Sequence, residues 1–241
     1  LLSGLFFMGC SSEKMKKNDL NGKVKSVSES TYDAVLKFGE VTSGDFWSKY
    51  NYKYDSDGNK IEEAYYGSKG DLEGEGTYKY DDNGNEIEYA YYHSKGDLLH
   101  KYTCKYDSDG NKIEDARYDY KGDLKSKSTH KYDGNGNPIE GTDYDSNGDL
   151  ESKYNYKYDS DGYQIELVDY DSKGDLKSKS THKYDGNGNK IERADYKPNG
   201  DLRHKGTYKY EFDKQNNWIK SIAMIGGKAS YITYREIEYY N

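Results

Sequence analysis

The sequence predicts an all-β protein: an antiparallel meander of 26-residue double-hairpin repeats forming one long curved sheet. Two observations carry this. The stretch Tyr52-Lys53-Tyr54-Asp55-Ser56-Asp57-Gly58-Asn59-Lys60-Ile61-Glu62 recurs with its second Tyr at 54, 80, 106, 132, 158 and 184, always 26 residues apart. Between copies a shorter stretch, Tyr66-x-x-x-Gly70-Asp71-Leu72, recurs at Tyr92, Tyr118, Tyr144, Tyr170 and Tyr196. A fixed period of this kind marks a repeat architecture. A helical repeat is excluded, because nothing apolar recurs at helical spacing and Gly interrupts about every 13 residues.

Each half-unit reads as strand, tight turn, strand. Asp55-Ser56-Asp57-Gly58-Asn59 has the form of a type I turn closed by a left-handed Gly. Pairing outward from it sets Tyr54 against Lys60 and Tyr52 against Glu62. About the second turn, Tyr66 faces Leu72. Side chains alternate with period two, so even-numbered residues share one face, among them Tyr54, Tyr66, Tyr78 and Tyr80. Lys53, Thr77, Lys101, Lys127 and one Ile per repeat, starting with Ile61, fall on the other. An even period keeps this phase through every repeat.

Composition agrees with a sheet that is wet on one face. Charged residues make up 33% and mean hydropathy is −1.25, yet there are 30 Tyr, which bury a ring and keep a polar tip. The net charge of −8 disfavours nucleic acid as a partner.

In chain order, residues 1–9 with Cys10 (Leu-Leu-Ser-Gly-Leu-Phe-Phe-Met-Gly-Cys) read as the remnant of a signal peptide. A small residue, Cys, then Ser11-Ser12 resembles a bacterial lipobox, although Phe7 and Met8 stand where that pattern prefers Leu and a small residue. The resemblance implies lipid attachment at Cys10 and a membrane partner held through that lipid. An ordinary secretory signal or a short buried strand remains the alternative. Residues 10–21 form a polar tether, and 22–241 the β-repeat domain. Within it, 22–50 is an N-terminal cap hairpin, 51–210 the regular repeats and 211–241 a C-terminal cap, where Phe212 to Trp218 repeats the motif displaced by two residues and Asn216 takes the place of Gly.

The recurring Tyr-x-Tyr-Asp-x-x-Gly-Asn over roughly residues 50–220 resembles the YD-repeat, or rearrangement-hotspot, family. Gly22-Lys23-Val24-Lys25-Ser26-Val27 and Arg235-Glu236-Ile237-Glu238-Tyr239-Tyr240 look like the ends of small YD-repeat lipoproteins of Bacteroidetes-type bacteria. The resemblance implies an outer-membrane lipoprotein of the bacterial cell envelope. Large members of the family wind such sheets into a shell around a cargo; this chain has about six repeats, so only the sheet geometry carries over.

Candidate site residues follow from the even face. Glu62, Glu88, Glu114, Glu140, Glu166 and Glu192 hold one repeat position, opposite Tyr52, Tyr78, Cys104, His130, Tyr156 and His182. With Tyr54, Tyr80, Tyr106, Tyr132, Tyr158 and Tyr184 they make a strip fit for a glycan, rings stacking on sugar faces and carboxylates taking hydroxyl hydrogens. The plainer alternative is that these Glu pair with Tyr, His or Lys to hold the sheet. Hydrolysis needs two carboxylates in unlike environments, and a column of identical Glu offers none, so no catalytic residue is expected. Asp55-x-Asp57-x-Asn59 hints at calcium, but its Gly is fourth rather than sixth, so turn chemistry is expected, with no metal and no cofactor. The function expected is a non-enzymatic binding or scaffold surface of the envelope. Its partners would be a glycan or another envelope protein.

Overall fold

The computed structural model describes residues 20–241; Cys10 and the residues before Leu20 lie outside that range. Sixteen strands follow in order. They are β1 (Val24–Lys37), β2 (Glu40–Tyr54), β3 (Lys60–Tyr66), β4 (Leu72–Tyr80), β5 (Glu86–His93), β6 (Leu98–Tyr106), β7 (Lys112–Asp119) and β8 (Leu124–Tyr132). The second half comprises β9 (Pro138–Asp145), β10 (Leu150–Tyr158), β11 (Gln164–Asp171), β12 (Leu176–Tyr184), β13 (Lys190–Tyr196), β14 (Leu202–Phe212), β15 (Trp218–Ile225) and β16 (Lys228–Tyr239). Every strand pairs antiparallel with its neighbours in sequence, and β1 also pairs with β16, from Val24↔Tyr239 to Asp33↔Tyr231. The expected meander is therefore present, but it closes into a barrel rather than remaining an open curved sheet. Closure removes both sheet edges and turns the tyrosine face inward, away from intermolecular contact. At about 4.8 Å between strands and a tilt of about 40°, a round barrel of this strand number is roughly 30 Å across, wide enough for an open lumen.

The turns form as their residues demand. In the first, the Gly58 N–H donates to the Asp55 carbonyl (3.1 Å) and the Asp55 N–H to the Asn59 carbonyl (2.9 Å). The Asp55 carboxylate is committed to the same loop: Oδ1 accepts from the N–H groups of Asp57 (3.0 Å) and Asn59 (2.8 Å). Gly136, in the equivalent turn, has φ 80°, and Asn216 has φ 63° where the C-terminal cap lacks Gly. Gly136→Val is expected to cost more than about 1 kcal/mol, whereas Asn216→Gly should be neutral or slightly stabilising. Urea denaturation of the two variants checks this, and a silent Gly136→Val would contradict the turn geometry.

The register departs from the expected one at a second irregularity. Tyr54 pairs Lys60 as read, but Lys53 then pairs Glu62 and Tyr52 pairs Glu63, so Ile61 is an extra residue. The same bulge follows the second turn, where Tyr66 pairs Leu72, Tyr65 pairs Gly74, and Glu73 is extra. Each bulge flips the alternation, and two per repeat restore it. Even residues face the lumen on β2, β4 and β6; odd residues face it on β3, β5 and β7. Tyr66 and its equivalents therefore lie on the outer face, opposite the Lys row, as in Lys101↔Tyr118.

Candidate functional site: the barrel lumen

The bulge sorts the predicted site residues into two sets. Glu62, Glu88, Glu114, Glu140, Glu166 and Glu192 are not on the tyrosine face. They stand outside, in ion pairs with Lys53 (2.6 Å), Lys79 (2.7 Å), Lys105 (2.7 Å), Lys131 (2.6 Å), Lys157 (2.7 Å) and Lys183 (3.0 Å). A second Lys reaches several of them from the next strand, as Lys179 reaches Glu166 (2.5 Å). Lys79 and Lys101 hold Glu88 below the ordinary carboxylate range.

Tyr52, Tyr78, Tyr156, His130 and His182 face the lumen as expected, and so do Tyr54, Tyr80, Tyr106, Tyr132, Tyr158 and Tyr184, near the rim that carries the Asp-x-x-Gly-Asn turns. The hydroxyls of that rim row tie neighbouring hairpins together. Tyr80 donates to the Lys60 carbonyl (2.8 Å), Tyr106 to Glu86 (2.8 Å), Tyr132 to Lys112 (2.7 Å) and Tyr184 to Gln164 (3.0 Å). Tyr240 closes the ring on the Tyr54 carbonyl (2.7 Å). This row is structural.

Within the lumen, residues that the even-face reading missed complete the surface. Between β2 and β6 the wall is paved with rings. Tyr50 lies 5.9 Å from Tyr52 and 4.8 Å from Tyr65, and Tyr89 lies 4.9 Å from Tyr78, 6.4 Å from Tyr91 and 6.1 Å from Tyr102. Two glycines on β4 let these rings lie close against the backbone. A Cβ on Gly76 would stand 2.7 Å from the Tyr89 ring, and one on Gly74 would collide with the Tyr91 hydroxyl. Glu63 anchors the pavement, accepting from the hydroxyls of Tyr78 and Tyr89 (each 2.6 Å). Burial, reinforced by the Glu63 charge, raises the pKa of both phenols; burial likewise pushes Tyr50 up to about 12. These hydroxyls remain protonated donors at physiological pH.

The facing arc is carboxylate and hydroxyl. Asp115 accepts from His130 Nε2 (2.8 Å) and pairs with Lys112 (3.2 Å). Burial opposes its ionisation, yet the hydrogen bond from His130 and the charge of Lys112 outweigh it and hold the carboxyl below the usual range. Asp143 accepts from Ser128 (2.7 Å) and Ser152 (3.1 Å), and Asp195 from Ser180 (2.6 Å). Asp169 is raised by burial, and its Oδ1 is buried without a hydrogen-bond partner.

His182, 8% exposed, donates from Nδ1 to the Gln164 carbonyl (3.1 Å), and its Nε2 is buried without a partner. Burial, with Lys190 nearby, lowers its pKa to about 4. The unfolded chain takes up this proton near pH 6.5 while the folded chain resists to about 4, so stability must fall as pH drops through that window. About 2 kcal/mol is expected to be lost between pH 7 and pH 5 through this residue. Urea melts of His182→Gln should show a correspondingly flatter pH dependence; an unchanged slope would remove His182 as its source.

The repeat itself marks which wall varies. The outer position of Lys53 is Lys in all six copies and that of Glu62 is Glu in all six, while the inner position of Glu63 reads Glu63, Tyr89, Asp115, Gly141, Leu167, Arg193. The adjoining inner row reads Tyr65, Tyr91, Arg117, Asp143, Asp169, Asp195. This contrast was visible in the sequence and points to the lumen as the individualised surface.

No family model matches the chain, and no curated protein matches it. Solved structures do. A porin-like protein from Bacteroides uniformis aligns with TM-score 0.61 and 12% identity, over 91% of this chain and 99% of that one. A porin-like protein from Bacteroides vulgatus aligns with TM-score 0.45 and 12% identity, over 88% and 97%. The Photorhabdus luminescens Tc holotoxin pore aligns with TM-score 0.33 and 16% identity, over 90% of this chain and 11% of that chain. The first of these establishes a shared barrel fold.

Proposed function

We propose that this protein is a small YD-repeat lipoprotein of the bacterial envelope that holds a carbohydrate in its lumen without transforming it. The observation that carries the reading is the tyrosine pavement laid over Gly74 and Gly76, with carboxylates and hydroxyls on the facing arc. Flat rings suit the C–H faces of sugars, and Asp143, Asp169 and Asp195 suit their hydroxyls; such mixtures of aromatic surface and a few placed polar groups are what ligand sites use. The repeated Glu residues that paired-carboxylate hydrolysis would draw on are engaged in ion pairs on the opposite face.

The outer wall argues against lipid contact along the barrel. Lys at the middle of a lipid-facing wall costs about 2–4 kcal/mol each, and this wall carries a full belt of Lys and Glu, with Lys105, Lys131 and Lys157 side chains each 70% exposed. Membrane attachment would instead run through Cys10. Leu20 packs with Val24, Val27 and Tyr54 at the rim of the Asp-x-x-Gly-Asn turns, so a tether from Cys10 would leave from that rim. Mass spectrometry of the mature protein should show diacyl- or triacylglyceryl-Cys10 as the first residue, and a mature terminus elsewhere would exclude the anchor.

A glycan array with fluorescence quenching of the lumenal tyrosines tests the ligand. Tyr91→Ala is expected to lower affinity at least about tenfold, and an array without hits would overturn the reading. A second reading, a scaffold for another envelope protein, draws on the β1–β2 hairpin. Its tip exposes Leu36 (73%) and Phe38 (107%); Phe38 at φ 53° and Gly39 at φ 84° form the two-residue turn between Lys37 and Glu40, a place where Gly, Asn or Asp is usual and an aromatic ring is not. Loss of a co-purifying protein in Phe38→Ser would favour it.

A further inference from the structure

We infer that Arg117 and His100 form an anion-recognition corner at the end of the tyrosine pavement, so that the lumen selects a sugar carrying a carboxylate; this rests on the carbohydrate reading above. Arg117 on β7 lies directly opposite Tyr102 on β6, its guanidinium carbon 6.0 Å from that ring's centroid. It is exposed to the lumen, and among the described residues it makes no ion pair. Its nearest acidic neighbours along β7 are committed elsewhere. Asp115 is taken by His130 and Lys112. Asp119 pairs with Lys125 (2.8 Å) and accepts the N–H groups of Lys121 (2.9 Å) and Asp123 (3.0 Å). A lumenal arginine with every adjacent carboxylate already bound is a cation left for a ligand.

His100 stands beside it. Its ring stacks on Tyr91 (5.3 Å, 21°) and meets Tyr102 edge-on (5.5 Å, 88°), which fixes its orientation. Its Nε2 is buried and has no hydrogen-bond partner, a condition that buried polar atoms rarely tolerate unless a ligand or water fills it. Burial and the Arg117 charge both lower its pKa, so at neutral pH the ring is uncharged and offers a single donor or acceptor. The arrangement supplies three elements in one place. Tyr91 and Tyr102, both half-buried, give ring surface, Arg117 gives a fork of N–H donors matched to a carboxylate, and His100 gives one further polar contact. A neutral sugar would use the ring face alone and leave the guanidinium without a counterion.

The test compares uronate-terminated oligosaccharides with their methyl esters, which keep the sugar and remove the charge. The intact protein is expected to bind the acids at least about tenfold more tightly, the scale of a charge-assisted bidentate contact. Arg117→Gln should abolish that preference, bringing acid affinity down to that of the ester, while Arg117→Lys should restore part of it. Melting curves establish that the variants are folded, as the exposure of Arg117 predicts. Equal binding of acid and ester, or a preference that survives Arg117→Gln, overturns the anionic specificity and leaves the carbohydrate reading standing. Binding of neither form, with no hit elsewhere on the array, overturns both.

Discussion

Tyr106→Ala is expected to destabilise the protein by about 3 kcal/mol, and Lys105→Ala by no more than about 0.5 kcal/mol. The residues are adjacent in sequence, so the contrast isolates the face. Tyr106 turns inward at the rim. Removing it deletes a large ring from the wall, abolishes the bond from its hydroxyl to the Glu86 carbonyl (2.8 Å), and strips a neighbour from Lys112, which pairs with it across the turn. Lys105 turns outward, its side chain 70% exposed, and contributes one solvent-screened contact to Glu114; exposed pairs of this kind contribute little. Chemical denaturation of the two variants decides the matter. Equal losses would mean that the inner and outer assignments are wrong, and with them the placement of the lumen.

Part of this architecture was legible in the sequence for clear physical reasons. Gly58, Gly70 and their equivalents at fixed spacing announce tight turns, because few other residues accept positive φ, and the 26-residue period announces strands that repeat in phase. The outward Lys row and the inward rim of Tyr54, Tyr80 and Tyr106 followed correctly from alternation. The Glu column did not. Pure alternation from the turn places Glu62 beside Tyr52, but the extra residue at Ile61 moves Glu62 outward and turns Glu63 in. A bulge inserts no unusual residue type, so nothing in one copy of Lys60-Ile61-Glu62-Glu63 reveals it. Comparison of the copies does: an invariant Glu belongs with the invariant Lys that it pairs, and the position that changes from Glu63 to Tyr89 to Asp115 belongs to a surface with a different task. The lumenal positions of Tyr91, Arg117 and Asp143 were lost to the same slip. Closure was not legible either, since whether a meander ends in two edges or joins them depends on accumulated twist and on contacts between residues over 200 positions apart, such as Arg235 Nε to Glu29 (2.6 Å).

That closure rests on one residue to an extent no repeat copy shares, and Asn217→Ala is expected to cost about 3 kcal/mol or more. Asn217 holds the fifth turn position, the one that Asn59, Asn85 and Asn111 hold in earlier copies. In those copies the side chain serves its own loop: Asn59 Nδ2 donates to Asp55 Oδ2 (3.0 Å) at a partly exposed site. Asn217 is 1% exposed and serves the seam instead. Its Nδ2 donates to the Asn21 carbonyl (2.8 Å) and to the Tyr239 hydroxyl (2.7 Å), while its Oδ1 accepts from the Asn21 N–H (2.6 Å). Tyr239 in turn donates to Asp213 Oδ2 (2.5 Å). One amide thus joins the segment entering β1, the β14–β15 turn and the end of β16, the three pieces of chain that meet where the barrel shuts. Truncation removes three hydrogen bonds from a partly buried site, at about 1 kcal/mol each, and leaves a void where the Asn217 side chain was 1% exposed. Asn59→Ala, with one partly exposed hydrogen bond at stake, should lose about 1 kcal/mol. Urea denaturation measures both. Hydrogen exchange adds a local signature, because in Asn217→Ala the amides of the β1–β16 pairing should exchange faster than those of β6–β7. Equal losses from the two alanines, or uniform exchange around the wall, would show that the seam is held by strand pairing alone.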